Sequence, residues 1–117
     1  MPDACLFCQV ISKQVPARVL YEDDLVLAMD IPKDHPEKRA PVHFLVVPRE
    51  HIVSAAQTGP QHEAMLGRLV TTAAKLAREQ GIEESGYRLI TNTGPDGNQT
   101  VFHLHLHCLG GTQLPKG

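Results

Sequence analysis

The hydrophobic and polar positions along the chain predict a series of short strands and one long helix. Four short segments are rich in Val, Leu, Ile, Phe or Tyr and are bounded by turn-forming residues. They are residues 18–22, 25–30, 43–47 and 87–92. The first two flank Asp23-Asp24, a pair that favours a hairpin turn. The third is apolar throughout and stops at a proline, which is typical of a strand buried on both faces.

The long helix is predicted over residues 60–80. Thr58 and Gln61 have the spacing of a capping box, Pro60 suits the first turn, and Gly81 is placed to end the helix. Its apolar residues recur at helical spacing and form one stripe: Met65, Leu66, Leu69, Val70, Ala73, Leu76 and Ala77.

Strands on both sides of a single long helix indicate an α+β fold with an antiparallel sheet. Residues 7–11 predict a short helix near the N-terminus, and residues 32–41 form a polar loop between prolines. With 117 residues and no repeat or linker, the chain is expected to be one domain, residues 1–117.

The most distinctive segment is His103-Leu104-His105-Leu106-His107. In an extended strand alternate side chains share a face, so the three histidines are expected together on one face. The opposite, apolar face takes Phe102, Leu104, Leu106 and Cys108. Imidazole is the side chain whose ordinary pKa lies nearest neutrality. We therefore favour an acid, base or nucleophile site over a structural role, or over three imidazoles on one metal ion.

The loop at residues 93–99 leads into the histidine run. Gly94 and Gly97 permit left-handed turns, whose outward N–H groups can cradle an anion. Asn92, Gln99 and Thr100 add side-chain hydrogen-bonding groups. A plain hairpin connection would share this composition. Phosphate binding is favoured here because phosphoryl transfer needs fixed donors around the phosphate oxygens, beside a nucleophile.

Cys5 and Cys8 have the spacing of half a tetrahedral zinc site. His43, at the head of its strand, and His103 are the candidates for the other half, provided that the N-terminal turn folds against the sheet. The alternative is a pair of small, half-buried cysteines without metal. Nothing in the local pattern recruits the remaining histidines, His35, His51 and His62, which are expected on the surface or in loops.

Composition excludes several classes of protein. A formal charge of −2 argues against a nucleic-acid groove, which normally needs a basic surface. No apolar run approaches the length of a membrane span, and the first ten residues lack a signal-peptide pattern. Three cysteines make a poor disulfide framework and fit a reducing compartment. The sequence therefore predicts a cytoplasmic protein that binds neither nucleic acid nor membrane.

The histidine segment, followed by Cys108-Leu109-Gly110-Gly111, resembles the histidine triad (HIT) family. Other matching stretches are Leu6-Phe7-Cys8, Tyr21-Glu22-Asp23-Asp24, the segment from Pro41 to Pro48, and Gly86-Tyr87-Arg88. The combination covers nearly the whole chain and is similar to the nucleotide-binding branch, the purine nucleoside phosphoramidases.

The resemblance implies a five-stranded HIT-like sheet, a homodimer that joins two such sheets, and a purine nucleotide ligand such as AMP. It implies that His105 is the nucleophile, that His107 bonds the phosphate or the leaving group, and that His43 and His103 complete the proton network. Contacts to phosphate are implied for Asn92 and Thr100, to ribose for Asp30, and to the base for Leu6, Phe7 and Ile31. No cofactor is required, although Cys5, Cys8, His43 and His103 can hold a structural zinc.

The chain departs from this family pattern in part. Thr100 stands where serine is usual, and the loop at residues 32–41 is longer by several residues. Three alternative functions stay open: a dinucleoside polyphosphate hydrolase, a nucleotide-binding regulatory module with little turnover, and a zinc-dependent hydrolase. The motif contains no carboxylate to serve as general base beside a metal, which argues against the third.

Overall fold

A computed structural model describes residues 5–117, so the first four residues of the predicted domain lie outside the description. Two α-helices are present, α1 (Leu6–Ile11) and α2 (Glu63–Glu79). The strands are β1 (Val19–Glu22), β2 (Val26–Asp30), β3 (Val42–Pro48), β4 (Tyr87–Ile90) and β5 (Leu106–Gly110). Short 3₁₀ turns occupy Ala55–Gln57 and Pro60–His62. Within residues 5–117, no helix is long and apolar enough to cross a bilayer.

The five strands form one sheet in the order β1-β2-β3-β5-β4, and every neighbouring pair is antiparallel. This confirms the predicted α+β class. The hairpin between β1 and β2 turns at Asp23, whose Oδ1 accepts hydrogen bonds from the backbone N–H groups of Leu25 (2.8 Å) and Val26 (2.9 Å). An Asp side chain that bonds its own downstream backbone is a common way of fixing a turn.

Helix α2 confirms the predicted helix but begins differently. Its first turn is the 3₁₀ segment Pro60–His62, and the expected capping box is wrong, because Thr58 Oγ1 instead donates to the carbonyl of Ala55. The helix ends before Gly81, whose φ of +78° is the left-handed conformation that suits glycine. Most of the predicted stripe is buried, but Val70 is 48% exposed and lies off it.

Both faces of the sheet are covered. Helix α2 packs on one face around a cluster that includes Phe44, Leu106 and Cys108. Helix α1 packs on the other through Phe7 and Val10. Burial of this much apolar surface at roughly 25 cal/mol per Å² is the main driving force for the fold. The same packing brings helix α1 next to the histidines, because Phe7 contacts the rings of His103 and His105.

The histidine run is not a strand throughout. Strand β5 begins at Leu106, so His103 and His105 precede it. Phe102, expected on the apolar face, is 60% exposed. The register pairs Val46 with Leu106, so its continuation would set Leu104 opposite Pro48. Proline has no N–H to donate to the ladder, so the pairing stops there.

Candidate active site and metal group

A cavity of about 700 Å³ opens at the α1 side of the sheet. It is lined by nine of the residues singled out from the sequence: Leu6, Phe7, Asp30, Ile31, Asn92, Gln99, Thr100, His105 and His107. His43 and His103 do not line it. The histidine run therefore divides between this cavity and a second cluster behind it.

His105 is held in one tautomer by its own chain. Its Nδ1–H donates to the carbonyl of His103 at 2.8 Å, which leaves Nε2 with the free lone pair. The ring is 8% exposed and lies edge-on to Phe7, with the ring centroids 5.2 Å apart. Burial lowers the pKa of His105 below its ordinary value. The side chain is therefore a neutral imidazole with an available Nε2, as a nucleophile requires.

His43 orients His107 from behind. The backbone N–H of Arg39 donates to His43 Nδ1 at 3.1 Å, so the neutral ring of His43 carries its proton on Nε2. That Nε2 lies 3.0 Å from His107 Nδ1 and donates to it. His107 in turn keeps its proton on Nε2, the nitrogen opposite the one that His43 occupies. The arrangement supplies a fixed N–H donor beside His105, whose ring centroid is 4.9 Å from that of His107.

The two relay histidines are uncharged at neutral pH. Burial lowers the pKa of His43 to about 4 and that of His107 to about 3. The Arg39 guanidinium beside both rings acts in the same direction. His43 is fully buried and His107 is 7% exposed, which agrees with the cause.

The loop at residues 93–99 is tied together by its own amides. Gln99 accepts from the Gly94 N–H at 2.9 Å and donates to the carbonyls of Val53 (2.6 Å) and Val101 (3.1 Å). Its amide is therefore fully used in holding the loop. Asn92 Nδ2 donates to the carbonyl of Gly97 at 2.7 Å.

Glycine is needed twice in this loop, for different reasons. Gly94 has φ +72°, which confirms the left-handed turn expected there. Gly97 does not have a positive φ; a Cβ at that position would lie 2.4 Å from the carbonyl oxygen of Thr93. The left-handed residue is instead Asn98. Thr100 closes the loop as an exposed side chain at the cavity edge.

Asp30 lies at the end of β2 on the cavity wall. Its Oδ2 accepts from Arg18 at 3.2 Å, and Lys38 Nζ lies 4.0 Å from Oδ1. These two cations hold the Asp30 side chain in place where β2 ends.

The second cluster is a group of four side chains, Cys5, Cys8, His51 and His103, whose ligand atoms all lie within 4.8 Å of one another. His103 Nδ1 is 3.3 Å from Cys5 Sγ and 3.5 Å from Cys8 Sγ. His51 Nδ1 is 3.3 Å from Cys8 Sγ and 3.2 Å from His103 Nδ1.

These separations fit a tetrahedral zinc ion. With Zn–N near 2.0 Å and Zn–S near 2.3 Å, ligand atoms are about 3.3 Å apart for two nitrogens and about 3.5 Å apart for sulfur and nitrogen. His103 Nε2–H donates to the carbonyl of Pro48 at 2.9 Å, so Nδ1 faces the cluster without a proton. A backbone carbonyl on the distal N–H is the usual support of a metal-binding histidine. The group can therefore hold a structural metal ion.

The fourth member of this group corrects the prediction from sequence. His43 was expected there, whereas no site was expected to recruit His51. His51 lies in a loop, as expected, but it occupies the fourth position of the group. His43 is instead bonded to Arg39 and His107. Strand register contains the missing signal: His43 pairs with Leu109, six residues from His103, while His51 follows the end of β3 near His103.

Comparisons with known sequences and structures show what this chain is similar to. A HIT domain family model matches residues 12–114. The chain is 42% identical over 115 residues to the purine nucleoside phosphoramidase of Escherichia coli strain K12, covering 97% of this chain and 92% of that protein.

Among solved structures, a HIT family hydrolase from Clostridium thermocellum superposes with a TM-score of 0.90 at 39% identity, covering 98% of this chain and 96% of that one. A zinc-bound histidine triad family protein from Mycobacterium smegmatis superposes with a TM-score of 0.74 at 31% identity, covering 94% of this chain and 76% of that one.

Proposed function

Because this chain belongs to the HIT domain family, we propose that it hydrolyses purine nucleoside phosphoramidates, releasing AMP and an amine from adenosine 5′-phosphoramidates. One observation carries the proposal: His105 is a neutral imidazole with its Nδ1–H fixed to a backbone carbonyl, on the wall of a cavity large enough for a nucleotide. The identity to a purine nucleoside phosphoramidase supports the choice of the P–N bond.

The reaction proceeds in two displacements at phosphorus. His105 Nε2 attacks the α-phosphorus, a new P–N bond forms, and the bond from phosphorus to the leaving nitrogen breaks. The leaving nitrogen takes up one proton from solvent, relayed through His107 Nε2–H so that the His107 ring stays neutral, and departs as a neutral amine. Water then attacks the phosphorus of the nucleotidyl-His105 intermediate, the bond from phosphorus to His105 Nε2 breaks, and the proton that water gives up returns to solvent, so that AMP leaves and the enzyme is restored.

Protonation of the leaving nitrogen is the costly step, because an amide anion is a poor leaving group. The bond from His43 to His107 keeps the His107 proton on the nitrogen that needs it. Positioning a donor in this way contributes about 10²- to 10⁴-fold to a rate.

The remaining cavity residues bind the nucleotide. Asn92 and Thr100 contact the phosphate oxygens, Asp30 accepts from the ribose hydroxyls, and a wall formed by Leu6, Phe7 and Ile31 packs on the base. Gln99 holds the loop that carries Asn92 and Thr100, since its amide is already bonded on both sides. The metal group does not line the cavity, and a four-ligand site has no open position for chemistry, which disfavours a zinc-dependent hydrolase.

The proposal includes a homodimer. Among residues 5–117, strand β4 pairs with β5 alone and lies at one edge of the sheet, and an edge strand can pair with a second copy. Joining two five-stranded sheets at such an edge bonds backbone groups that are otherwise solvated. Light scattering after size exclusion measures the expected twofold mass.

The test follows amine release from an adenosine 5′-phosphoramidate that carries a fluorescent amine. Wild type is expected to turn over, and a rapidly quenched sample is expected to contain protein heavier by one adenylyl group. His105→Ala should lose at least about 10³-fold in kcat/KM, the scale of a lost nucleophile. His62→Ala, which removes an imidazole outside the cavity, should keep its activity.

Two outcomes would contradict the proposal. Protein that binds AMP but releases no amine would be a binding module. Faster cleavage of a dinucleoside polyphosphate than of any phosphoramidate would make the chain a phosphoanhydride hydrolase that uses the same His105.

A further inference from the structure

Two of the four side chains of the metal group are cysteines placed to react with each other. Cys5 and Cys8 are reduced and partly exposed, and their Sγ atoms lie within 4.8 Å of each other. Cys5 caps helix α1, and its Sγ accepts from the backbone N–H of Cys8 at 3.5 Å. Two cysteines with this spacing at the start of a helix are the arrangement found in disulfide oxidoreductases.

The third cysteine of the chain has opposite properties. Cys108 is fully buried, and burial raises the pKa of its thiol to about 12. It therefore stays a protonated thiol, which is a poor nucleophile. Cys5 and Cys8 are thiolates whenever the group holds a metal ion, because a coordinating thiol is deprotonated. Since oxidants attack accessible thiolates, the chain offers them this pair and keeps Cys108 out of reach.

Helix α1 connects the cysteine pair to the cavity. Leu6 and Phe7 stand between the two cysteines in the sequence, and both line the cavity. The Phe7 ring lies edge-on to His103 and His105, with ring centroids 5.8 Å and 5.2 Å apart. A change in the positions of the two sulfur atoms is therefore transmitted to the cavity wall and to the ring beside His105.

The metal group also holds the start of α1 against the sheet. Cys8 contacts His51, which follows β3, and Cys5 contacts His103, which precedes β5. A disulfide has no thiolate to give to a metal ion, so oxidation removes two of the four ligands at once. His103 then leaves a closed ligand set, although its carbonyl accepts the Nδ1–H of His105 at 2.8 Å. Oxidation of the pair therefore loosens both α1 and the support of His105.

We propose that Cys5 and Cys8 are a peroxide-sensitive pair, whose oxidation to a disulfide expels the metal ion and weakens nucleotide binding in the cavity. One thiolate attacks an oxygen of the hydroperoxide, the O–O bond breaks, and a sulfenic acid forms as water or an alcohol leaves. The second thiolate attacks the sulfenic sulfur, the S–S bond forms, and hydroxide leaves as water. The two thiolates lose two electrons, the peroxide gains them, and two protons come from solvent.

This inference deepens the proposed function as a regulation of the same site, and it rests on that function for its ligand, AMP. The test compares zinc-loaded protein before and after treatment with hydrogen peroxide. The mass of the denatured chain should fall by two hydrogen atoms, and a chromogenic chelator should detect one released zinc ion per chain. A dithiol reductant with added zinc should reverse both changes.

Calorimetry then measures the effect on the cavity. AMP should bind about tenfold more weakly to the oxidised protein, the change expected if α1 keeps its place in about a tenth of the molecules. The reduced, zinc-reloaded protein should regain the original affinity.

Two variants serve as controls. Cys108→Ala leaves Cys5 and Cys8 as the only cysteines of the chain, and it should respond to peroxide as wild type does. Cys8→Ser cannot form the disulfide, so its affinity for AMP should be the same before and after peroxide. The second variant separates the disulfide from oxidation of other groups, such as Met29 on the cavity wall.

Three results would overturn the inference. The first is a protein that takes up no zinc, and the second is a peroxide-treated chain that gains oxygen atoms without joining the pair. The third is a disulfide that forms while zinc or the affinity for AMP is retained.

Amine release by the reduced protein tests the proposed function separately. If the reduced protein releases no amine but peroxide still joins the pair, expels zinc and weakens AMP binding, the phosphoramidase is refuted and the redox response stands. Amine release that the disulfide leaves unchanged would do the reverse.

Discussion

His103 and His105 are two residues apart in the chain and belong to different halves of the site. His103 turns away from the cavity and joins Cys5, Cys8 and His51. His105 lines the cavity with His107. The first group, called the metal half below, is a closed set of four metal ligands suited to a structural role. The second group, His105 and His107 with His43 behind them, is called the catalytic half and keeps a nitrogen available for chemistry. The surroundings of each side chain, not its type or its position in the chain, therefore give His103 and His105 different roles.

The two halves are joined by one peptide group. His103 offers Nδ1 to the metal cluster, and its carbonyl accepts the Nδ1–H of His105 at 2.8 Å. Fixing the His103 side chain therefore fixes the carbonyl that sets the tautomer of His105, the proposed nucleophile. The metal half supports the catalytic half without entering the cavity.

Removing the metal is the largest expected disruption of this arrangement. Zinc at a thousand times its dissociation constant would stabilise the fold by about 4 kcal/mol. Metal-free protein should therefore melt roughly 10 °C lower or more. Calorimetry with and without a chelator, together with metal analysis, measures both the shift and a stoichiometry of one ion per chain.

Two variants decide which histidine belongs to the metal half. His51→Ala should lose the ion and melt like the metal-free protein, because it removes one of four ligands. His43→Gln should keep one ion per chain, because His43 is bonded to Arg39 and His107. Loss of the ion in His43→Gln and its retention in His51→Ala would show that His43, not His51, is the metal ligand, and the two halves would not be separate.

The catalytic half could be predicted from the sequence because its signals are local. Alternation placed His105 and His107 together, and the Gly-rich loop between Asn92 and Thr100 lies beside them on the cavity wall. The long helix was predictable for the same reason, since its apolar spacing and Gly81 lie within one segment.

The metal half depends on register, which a local pattern does not contain. The spacing of Cys5 and Cys8 indicates half of a metal site, but the choice between His43 and His51 as a further ligand depends on how β3 pairs with β5. The prediction that Phe102 lies on the apolar face was wrong for a related reason. Pro48 ends the pairing between β3 and β5, so the alternation of a strand does not extend to the exposed Phe102. Arg39 had no signal of its own, because a loop conformation brings it to His107.

Gln99 tests whether the phosphate loop depends on its internal amide bonds. Gln99→Glu keeps the shape and the acceptor for Gly94 N–H but places a carboxylate against the carbonyls of Val53 and Val101. Losing those two donated bonds in a buried position should cost about 2 kcal/mol of unfolding free energy. Urea denaturation measures the change.

The same substitution at exposed Gln113 is the control for added charge and should change stability by less than about 0.5 kcal/mol. Zinc content should be unchanged in both variants, because Gln99 lines the cavity and is not one of the four metal ligands. Equal stabilities of the two variants would mean that the Gln99 amide does not hold the loop.

Acid should destabilise the catalytic half by protonating its buried relay. Unfolded His43 binds a proton below its ordinary pKa of 6.5, whereas the folded residue, its pKa lowered to about 4 by burial, does not. The unfolded state therefore binds more protons between those values, and stability falls as pH drops from 6.5 towards 4 and is unaffected above 6.5. His43→Gln should remove about 1 kcal/mol of this loss at pH 5.5, measured by urea denaturation at pH 7.5 and 5.5. Because both proteins keep the same metal ligands, the difference between them isolates the relay, and identical pH profiles would show that His43 is protonated as readily in the fold as in the unfolded chain.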